Sequence, residues 1–134
     1  MPGLLLIAHA PLASALKAVA EHTFPHCAAQ LTVLDVSAEM SVEDVELAAR
    51  ALLRSAGHAE ALILTDVFGA TPCNAAQRLQ SEAVRVVSGV NVPMLWRSLC
   101  YIGEPLEALI VRAVQGGSAG IMLNELPVNP SSEL

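Results

Sequence analysis

The chain has 134 residues, of which 54% are hydrophobic and only 3% aromatic, and it carries a formal net charge of −6. This length corresponds to one domain, because compact domains most often run roughly 100–150 residues. The negative charge argues against nucleic-acid binding, which needs a basic surface, and favours a basic protein partner. No apolar run approaches the roughly 20 residues that cross a bilayer, so we expect a soluble protein without membrane insertion.

The cysteines are odd in number and scattered along the chain, at Cys27, Cys73 and Cys100. They show no CxxC spacing of the kind that marks a metal site or a redox pair. The amino terminus lacks the basic region of a signal peptide, and its apolar run is too short for one. We therefore expect reduced thiols and a cytoplasmic location.

The first predicted element is a strand, Leu4–Ala8, which ends at His9. Its unbroken apolar run is typical of a strand that is buried on both faces. Pro11 suits the first turn of a helix, and apolar residues then recur at helical spacing to about His22. The chain therefore opens with a strand-to-helix unit that has an imidazole at the carboxyl end of the strand.

The next unit follows a break at residues 23–26. Leu31–Val36 is predicted as the second strand. Ser41 and Asp44 are three residues apart, a spacing that predicts a capping box at the start of the next helix. Gly57 is predicted to end that helix in the usual carboxyl-terminal position.

The third strand is predicted at Ala61–Thr65, and Asp66 follows it directly. Thr71 before Pro72 predicts a helix with Thr71 as its cap and the proline in its first turn. This helix is expected to run to about Leu79. Its start would direct free backbone N–H groups towards the carboxyl ends of the strands.

The rest of the chain predicts a fourth strand at Ala83–Val87 and two helices, over 93–99 and 105–114. The glycines of 116–120 predict a flexible joint. The short apolar segment 121–123 that follows is expected to pair with a sheet edge, either its own or that of a partner.

Strands that alternate with helices over short connections predict a doubly wound α/β fold with a mostly parallel sheet. In the common flavodoxin-like order, 2-1-3-4, the first and third strands are neighbours. Their carboxyl ends then lie about 5 Å apart. We predict one domain over residues 1–124 and a disordered tail over 125–134, which is rich in proline and serine.

This order brings His9 and Asp66 within hydrogen-bonding reach. A carboxylate that accepts a hydrogen bond from one ring nitrogen fixes the tautomer of the histidine. The other ring nitrogen is then left as a nucleophile. The helix that starts at Thr71 would favour an anion such as a phosphoryl group. The residues thus point to a phosphohistidine site, but they leave equally open a solvated histidine beside an aspartate that only forms a turn.

Three segments in this order, Ile7–Ala10, Leu64–Ala76 and Ser88–Leu95, resemble the mannose-type enzyme IIA family of the bacterial sugar phosphotransferase system (PTS). The likeness covers about residues 3–124. It implies a four-stranded parallel sheet and a final antiparallel strand that is exchanged across a homodimer. Residues 121–123 would supply that strand.

The resemblance also implies a function. His9 would accept a phosphoryl group from the phosphohistidine of HPr, on the ring nitrogen away from Asp66, and pass it to a IIB protein or domain, in sugar uptake or in regulation. Asp66 would orient His9 and stabilise its charge. No metal or cofactor is implied. The residues expected to bind the phosphoryl group are Gly69, Ala70, Thr71 and Asn74.

The chain departs from the family pattern at a few of these positions. Ala10 stands where the family usually has glycine, Ala70 replaces a second glycine, and Thr71 replaces a serine. The methyl groups of Ala10 and Ala70 are expected to narrow the backbone conformations available around a bound phosphoryl group.

Two other functions are compatible with parts of the sequence. Small metal-dependent chelatases also begin with an apolar strand that ends in histidine, but they need a second ligand, and His22, His26 and His58 are all predicted beside helices. A regulatory interaction module could keep the fold and transfer phosphate poorly. Cys73 is interpreted as a small packed residue, with a reactive thiol near the helix start as the alternative.

Overall fold

The structure of the protein, a computed structural model, describes residues 1–128. The strands are β1 (Gly3–His9), β2 (Leu31–Val36), β3 (Ala61–Thr65) and β4 (Val84–Ser88). The helices are α1 (Leu12–Thr23), α2 (Pro25–Ala28), α3 (Val42–Ala56), α4 (Thr71–Gln77), α5 (Val92–Cys100) and α6 (Leu106–Ala119). Of the predicted tail, residues 125–128 form neither helix nor strand, and 129–134 lie outside the described residues.

The strands form one parallel sheet in the order β2-β1-β3-β4. This confirms the doubly wound, flavodoxin-like fold predicted from the alternation of strands and helices. In the register, Ile7 pairs with Thr65, and Thr65 pairs with Ser88. The carboxyl ends of all the strands therefore meet at one edge of the sheet, and β1 and β3 are neighbours there.

The central strand β1 is buried on both faces, as its apolar run predicted. Leu4 and Leu6 belong to a core layer that α1, α5 and α6 cover, whereas Leu5 and Ile7 face the layer under α3 and α4. Each such side chain contributes roughly 1.5–3 kcal/mol when it is fully buried. The strand that ends in His9 is thus held by packing on both sides.

Most predicted boundaries agree with the structure to within one or two residues. The capping box between Ser41 and Asp44 is present, and Gly57 ends α3 in a left-handed conformation, with φ of 71°. The strand β4 lies one residue later than predicted. The expected break at 23–26 contains the start of the short helix α2, which begins with Pro25.

The prediction that Thr71 caps α4 is wrong. Ala70 has extended backbone angles and is the N-cap residue, so Thr71 is already the first helical residue and Pro72 the second. Ala70 has no side chain that could cap the helix, and the proline lacks one of the N–H groups that a cap would bind. The helix ends at Gln77 rather than at Leu79.

The predicted flexible joint at 116–120 is also wrong, because α6 continues through the glycines to Ala119. A Cβ atom on Gly116 would lie 2.5 Å from Cβ of Arg97, and one on Gly117 would lie 2.8 Å from Cε of Met94. The glycines therefore permit close packing of α6 against α5. Their small size, and not their flexibility, explains their presence.

The carboxyl-terminal segment 121–128 adds no strand to the sheet of its own chain, which is entirely parallel over the described residues. The predicted antiparallel edge strand is therefore not formed within one chain. The apolar side chains of this segment are exposed, and Leu123 is 95% exposed. Within residues 1–128, no helix combines the length and the apolar character needed to span a membrane.

Candidate functional site

The structure brings together the two residues that the sequence predicted to form a pair. His9 is the last residue of β1, and Asp66 directly follows the adjacent strand β3. Nδ1 of His9 lies 2.7 Å from Oδ2 of Asp66, and the backbone N–H of His9 donates to the same oxygen at 3.0 Å. The imidazole is 51% exposed, whereas the carboxylate is only 11% exposed. The largely buried carboxylate thus holds the exposed ring through its Nδ1 atom.

The electrostatics of Asp66 follow from these bonds. Burial acts to raise the pKa of its carboxyl group, but the hydrogen bonds from His9 outweigh this effect and lower the pKa. The second oxygen, Oδ1, accepts a hydrogen bond from the N–H of Val67 at 3.0 Å. An ionised carboxylate only accepts, so Nδ1 of a neutral His9 carries the proton and Nε2 keeps its lone pair.

The segment that follows His9 is fixed from the side of β2. The N–H of Ala10 donates to the carbonyl of Val36 at 2.9 Å. Asp35, near the end of β2, accepts hydrogen bonds from the N–H of Ser14, at 3.0 Å, and from its hydroxyl group, and so caps the first turn of α1. The sequence analysis missed this role of Asp35. The sequence feature that could have indicated this role is an aspartate near the end of the strand beside β1.

On the other side of Asp66, a loop leads into α4, which packs against β1. Gly69 has a φ of +89°, and its carbonyl accepts a hydrogen bond from the Asn74 side chain at 3.3 Å. The N–H of Asn74 donates to the carbonyl of Ala70 and starts the helical hydrogen-bond ladder. The N–H of Thr71 precedes that ladder and is available to an anion, whereas the N–H of Cys73 belongs to a fully buried residue.

The site lies on an open surface. Beside Asp66, Val67 is 48% exposed and Phe68 is 74% exposed. A small pocket lies at the amino end of β1, where His58 contributes to its lining, at the opposite edge of the sheet from His9. An exposed imidazole with apolar neighbours fits contact with another protein rather than with an enclosed small substrate.

The other histidines are distant from this pair in the fold. His58 lies against Gly3, at the other end of β1, and His22 and His26 belong to α1 and α2. In residues 1–128, no three or more His, Cys, Asp or Glu side chains lie close enough together to hold a metal ion.

These features define a doubly wound α/β protein that presents a carboxylate-oriented histidine at the carboxyl edge of its sheet. The sequence profile of one family, EIIA-man, described as "PTS system fructose IIA component", matches residues 3–110. The chain therefore belongs to this family of PTS IIA components. This finding confirms the resemblance seen in the sequence and gives the chain, in general terms, a phosphocarrier role in a sugar PTS.

Solved structures agree with this assignment. The mannose/sorbose-specific IIA subunit of Enterococcus faecalis is 26% identical, with a TM-score of 0.86 over 94% of this chain and 96% of that one. The EIIA component of Streptococcus agalactiae is 24% identical, with a TM-score of 0.83 over 91% and 96%.

A more distant structure, the IIA protein associated with the fucose utilization operon of Streptococcus pneumoniae, is 23% identical, with a TM-score of 0.64 over 85% of this chain and 89% of that one. The similarities to the Streptococcus agalactiae and Streptococcus pneumoniae structures support the fold alone. A search of the curated proteins found no match.

Proposed function

We propose that this protein is a phosphocarrier that accepts a phosphoryl group from the phosphohistidine of HPr on Nε2 of His9 and passes it to a IIB protein or domain. The observation that carries the proposal is the 2.7 Å contact between Nδ1 of His9 and Oδ2 of Asp66. This contact holds the proton on Nδ1 and leaves Nε2 of the half-exposed ring as the nucleophile.

The transfer exchanges one nitrogen–phosphorus bond for another. The lone pair of Nε2 attacks phosphorus, while the electron pair of the donor's N–P bond returns to the donor imidazole. The ring of His9 becomes a phosphorylated imidazolium, and the charge of Asp66 stabilises it. The two bonds are similar in energy, so the protein's contribution is mainly positioning.

In this mechanism, the loop and the first turn of α4 bind the transferred group. Backbone N–H groups near Thr71 would donate to the phosphoryl oxygens, and the Thr71 hydroxyl would take the place of the family's serine. The side chain of Asn74 would act mainly by holding the carbonyl of Gly69, as it does in the structure. Ala70 supplies the N-cap backbone that starts the helix.

We further propose that the protein acts as a homodimer, in which residues 121–123 of one chain add an antiparallel strand to the sheet of the other. Support comes from the exposure of Ile121, Met122 and Leu123, which are 78%, 77% and 95% exposed. β4 is one of the two edge strands of the sheet, so its outer side is open to pairing with such a strand. We also propose that the protein acts in the cytoplasm together with these partners.

Phosphoryl transfer from phosphoenolpyruvate through enzyme I and HPr tests this function. The protein should acquire one acid-labile, base-stable phosphoryl group, and His9→Gln should abolish it. The matched control is His22→Gln, which removes an exposed histidine on α1 and should leave the label unchanged. A wild-type protein that takes no label, or a label that survives His9→Gln, would contradict the proposal.

A further inference from the structure

A chain of polar side chains lies beneath the loop that follows Asp66. The hydroxyl of Thr65 donates to Oγ of Ser88 at 2.9 Å, and Oγ of Ser88 lies 3.2 Å from Sγ of Cys73. Thr65 and Cys73 are fully buried, and Ser88 is half-buried. Most of the buried residues around these groups are aliphatic.

The three residues belong to different elements that meet at the site. Thr65 is the last residue of β3 and directly precedes Asp66, whereas Cys73 is the third residue of α4. Ser88 is the last residue of β4 and pairs with Thr65 in the sheet. One oxygen, Oγ of Ser88, therefore contacts both the residue that precedes the loop 66–70 and the first turn of the helix that follows it.

That loop has few other constraints. Its residues Val67, Phe68 and Gly69 are exposed, and Gly69 has the left-handed backbone conformation that other residues rarely adopt. One end of the loop carries the carboxylate that orients His9. The other end carries the N–H groups at the start of α4. The distance between these two groups depends on how the ends are tied together.

We propose that Ser88 is a positioning residue for phosphoryl transfer, whose hydroxyl fixes the first turn of α4 relative to Asp66 and His9. The proposal rests on the phosphocarrier function proposed above. Aliphatic side chains would fill the same volume without the cost of burying polar groups. Hydrogen bonds are directional, whereas aliphatic contacts are not, so the hydrogen bonds constrain the position of the helix relative to the strand ends.

The test is the single-turnover transfer from phospho-HPr to the Ser88→Ala variant. We expect the maximal rate to fall by about tenfold, because a displacement well below 1 Å at a transfer site has effects of this order. The phospho-HPr concentration that gives half of the maximal rate should stay unchanged, since the exposed surface is not altered. Restoring a hydroxyl with Ser88→Thr should recover part of the rate.

The matched control is Ser98→Ala. Ser98 is also buried, and its hydroxyl donates at 2.8 Å to the carbonyl of Met94 within α5. Ser98→Ala therefore removes a buried hydroxyl that does not contact Thr65, Cys73 or Ser88. The transfer rate of this variant should stay within about twofold of wild type. A Ser88→Ala rate that falls no further than this control would overturn the inference, as would a change in the half-saturating concentration alone.

Two further variants cover the case in which Ser88→Ala does not fold. Thr65→Val and Cys73→Ala each remove one contact of Ser88, and each should slow transfer. Wild-type rates in both would overturn the inference.

If wild-type protein itself takes no label, the proposed function fails. The positioning claim is then tested by NMR of the unphosphorylated protein. The amide resonances of Asp66 and Thr71 should shift more in Ser88→Ala than in Ser98→Ala, and equal or smaller shifts would overturn the claim.

Discussion

His9 and Asp66 are 57 positions apart in the chain, yet both the ring nitrogen Nδ1 and the backbone N–H of His9 contact one oxygen of Asp66, at 2.7 Å and 3.0 Å. The carboxylate thus fixes the end of β1 and the orientation of the ring together. The parallel pairing of β1 with β3 is the cause, because it places the residue after one strand beside the end of the other.

Replacing Asp66 by Asn should slow the phosphorylation of His9 by roughly 10- to 100-fold, because the phosphorylated imidazolium loses its counter-charge and one of the two acceptor oxygens becomes an NH2 donor. Transfer reactions from phospho-HPr that are quenched at timed intervals measure this rate. Asp44→Asn is the control, since Asp44 lies in the capping box of α3, and its loss should leave the rate unchanged. Asp66→Ala should also fold. An unfolded variant would mean that Asp66 is structural.

The depressed pKa of Asp66 predicts how stability depends on pH. The pKa in the folded protein lies below the ordinary value of 3.8, so the charged carboxylate stabilises the fold above that value. This contribution is lost as the pH falls through the folded pKa. Urea unfolding of wild type and Asp66→Asn should therefore show a free-energy difference at pH 7 that shrinks below about pH 4. A difference that stays constant or widens towards pH 3 would contradict this account.

The central features of the fold could be predicted from the sequence because they depend on local patterns. The apolar run before His9 identified a buried strand, and the spacing of Ser41 and Asp44 identified a helix start. The alternation of strands and helices predicted a doubly wound fold, and the common flavodoxin-like arrangement supplied the strand order. The pairing of His9 with Asp66 followed from that order.

The wrong prediction of a flexible joint and the missed side-chain contacts have a common cause, which is dependence on tertiary contacts. Gly116 and Gly117 indicate a flexible joint when only the sequence is considered, but they form a helix because α5 packs against them. The contact of Ser88 with Cys73 joins residues from separate elements, so no spacing reveals it. The capping of α1 by Asp35 was missed for the same reason.

The packing of α5 against α6 predicts that Gly116→Ala destabilises the protein. An added Cβ would lie 2.5 Å from Cβ of Arg97, and we expect a net loss of about 1–2 kcal/mol, after the gain in helix propensity. Gly103→Ala is the matched control, because nothing lies within 4 Å of its added Cβ. Its unfolding free energy should change by less than about 0.5 kcal/mol. Equal effects of the two substitutions in chemical unfolding would refute the packing explanation.

The proposed dimer depends on the carboxyl-terminal segment. A chain that ends at Gly120 should be monomeric, because it lacks the apolar side chains of residues 121–123, whereas the full chain should be dimeric. Sedimentation velocity at micromolar concentration distinguishes the two states. A full-length monomer, or a truncated protein that still forms the dimer, would show that the segment does not join two copies.

The most direct test of the phosphocarrier proposal is the position of the phosphoryl group on the imidazole. Nitrogen-15 NMR of the labelled protein, phosphorylated through HPr, identifies the ring nitrogen that is coupled to phosphorus. We predict coupling to Nε2 of His9, with Nδ1 still protonated and bonded to Asp66. Phosphorus on Nδ1, or on any other residue, would contradict the proposal.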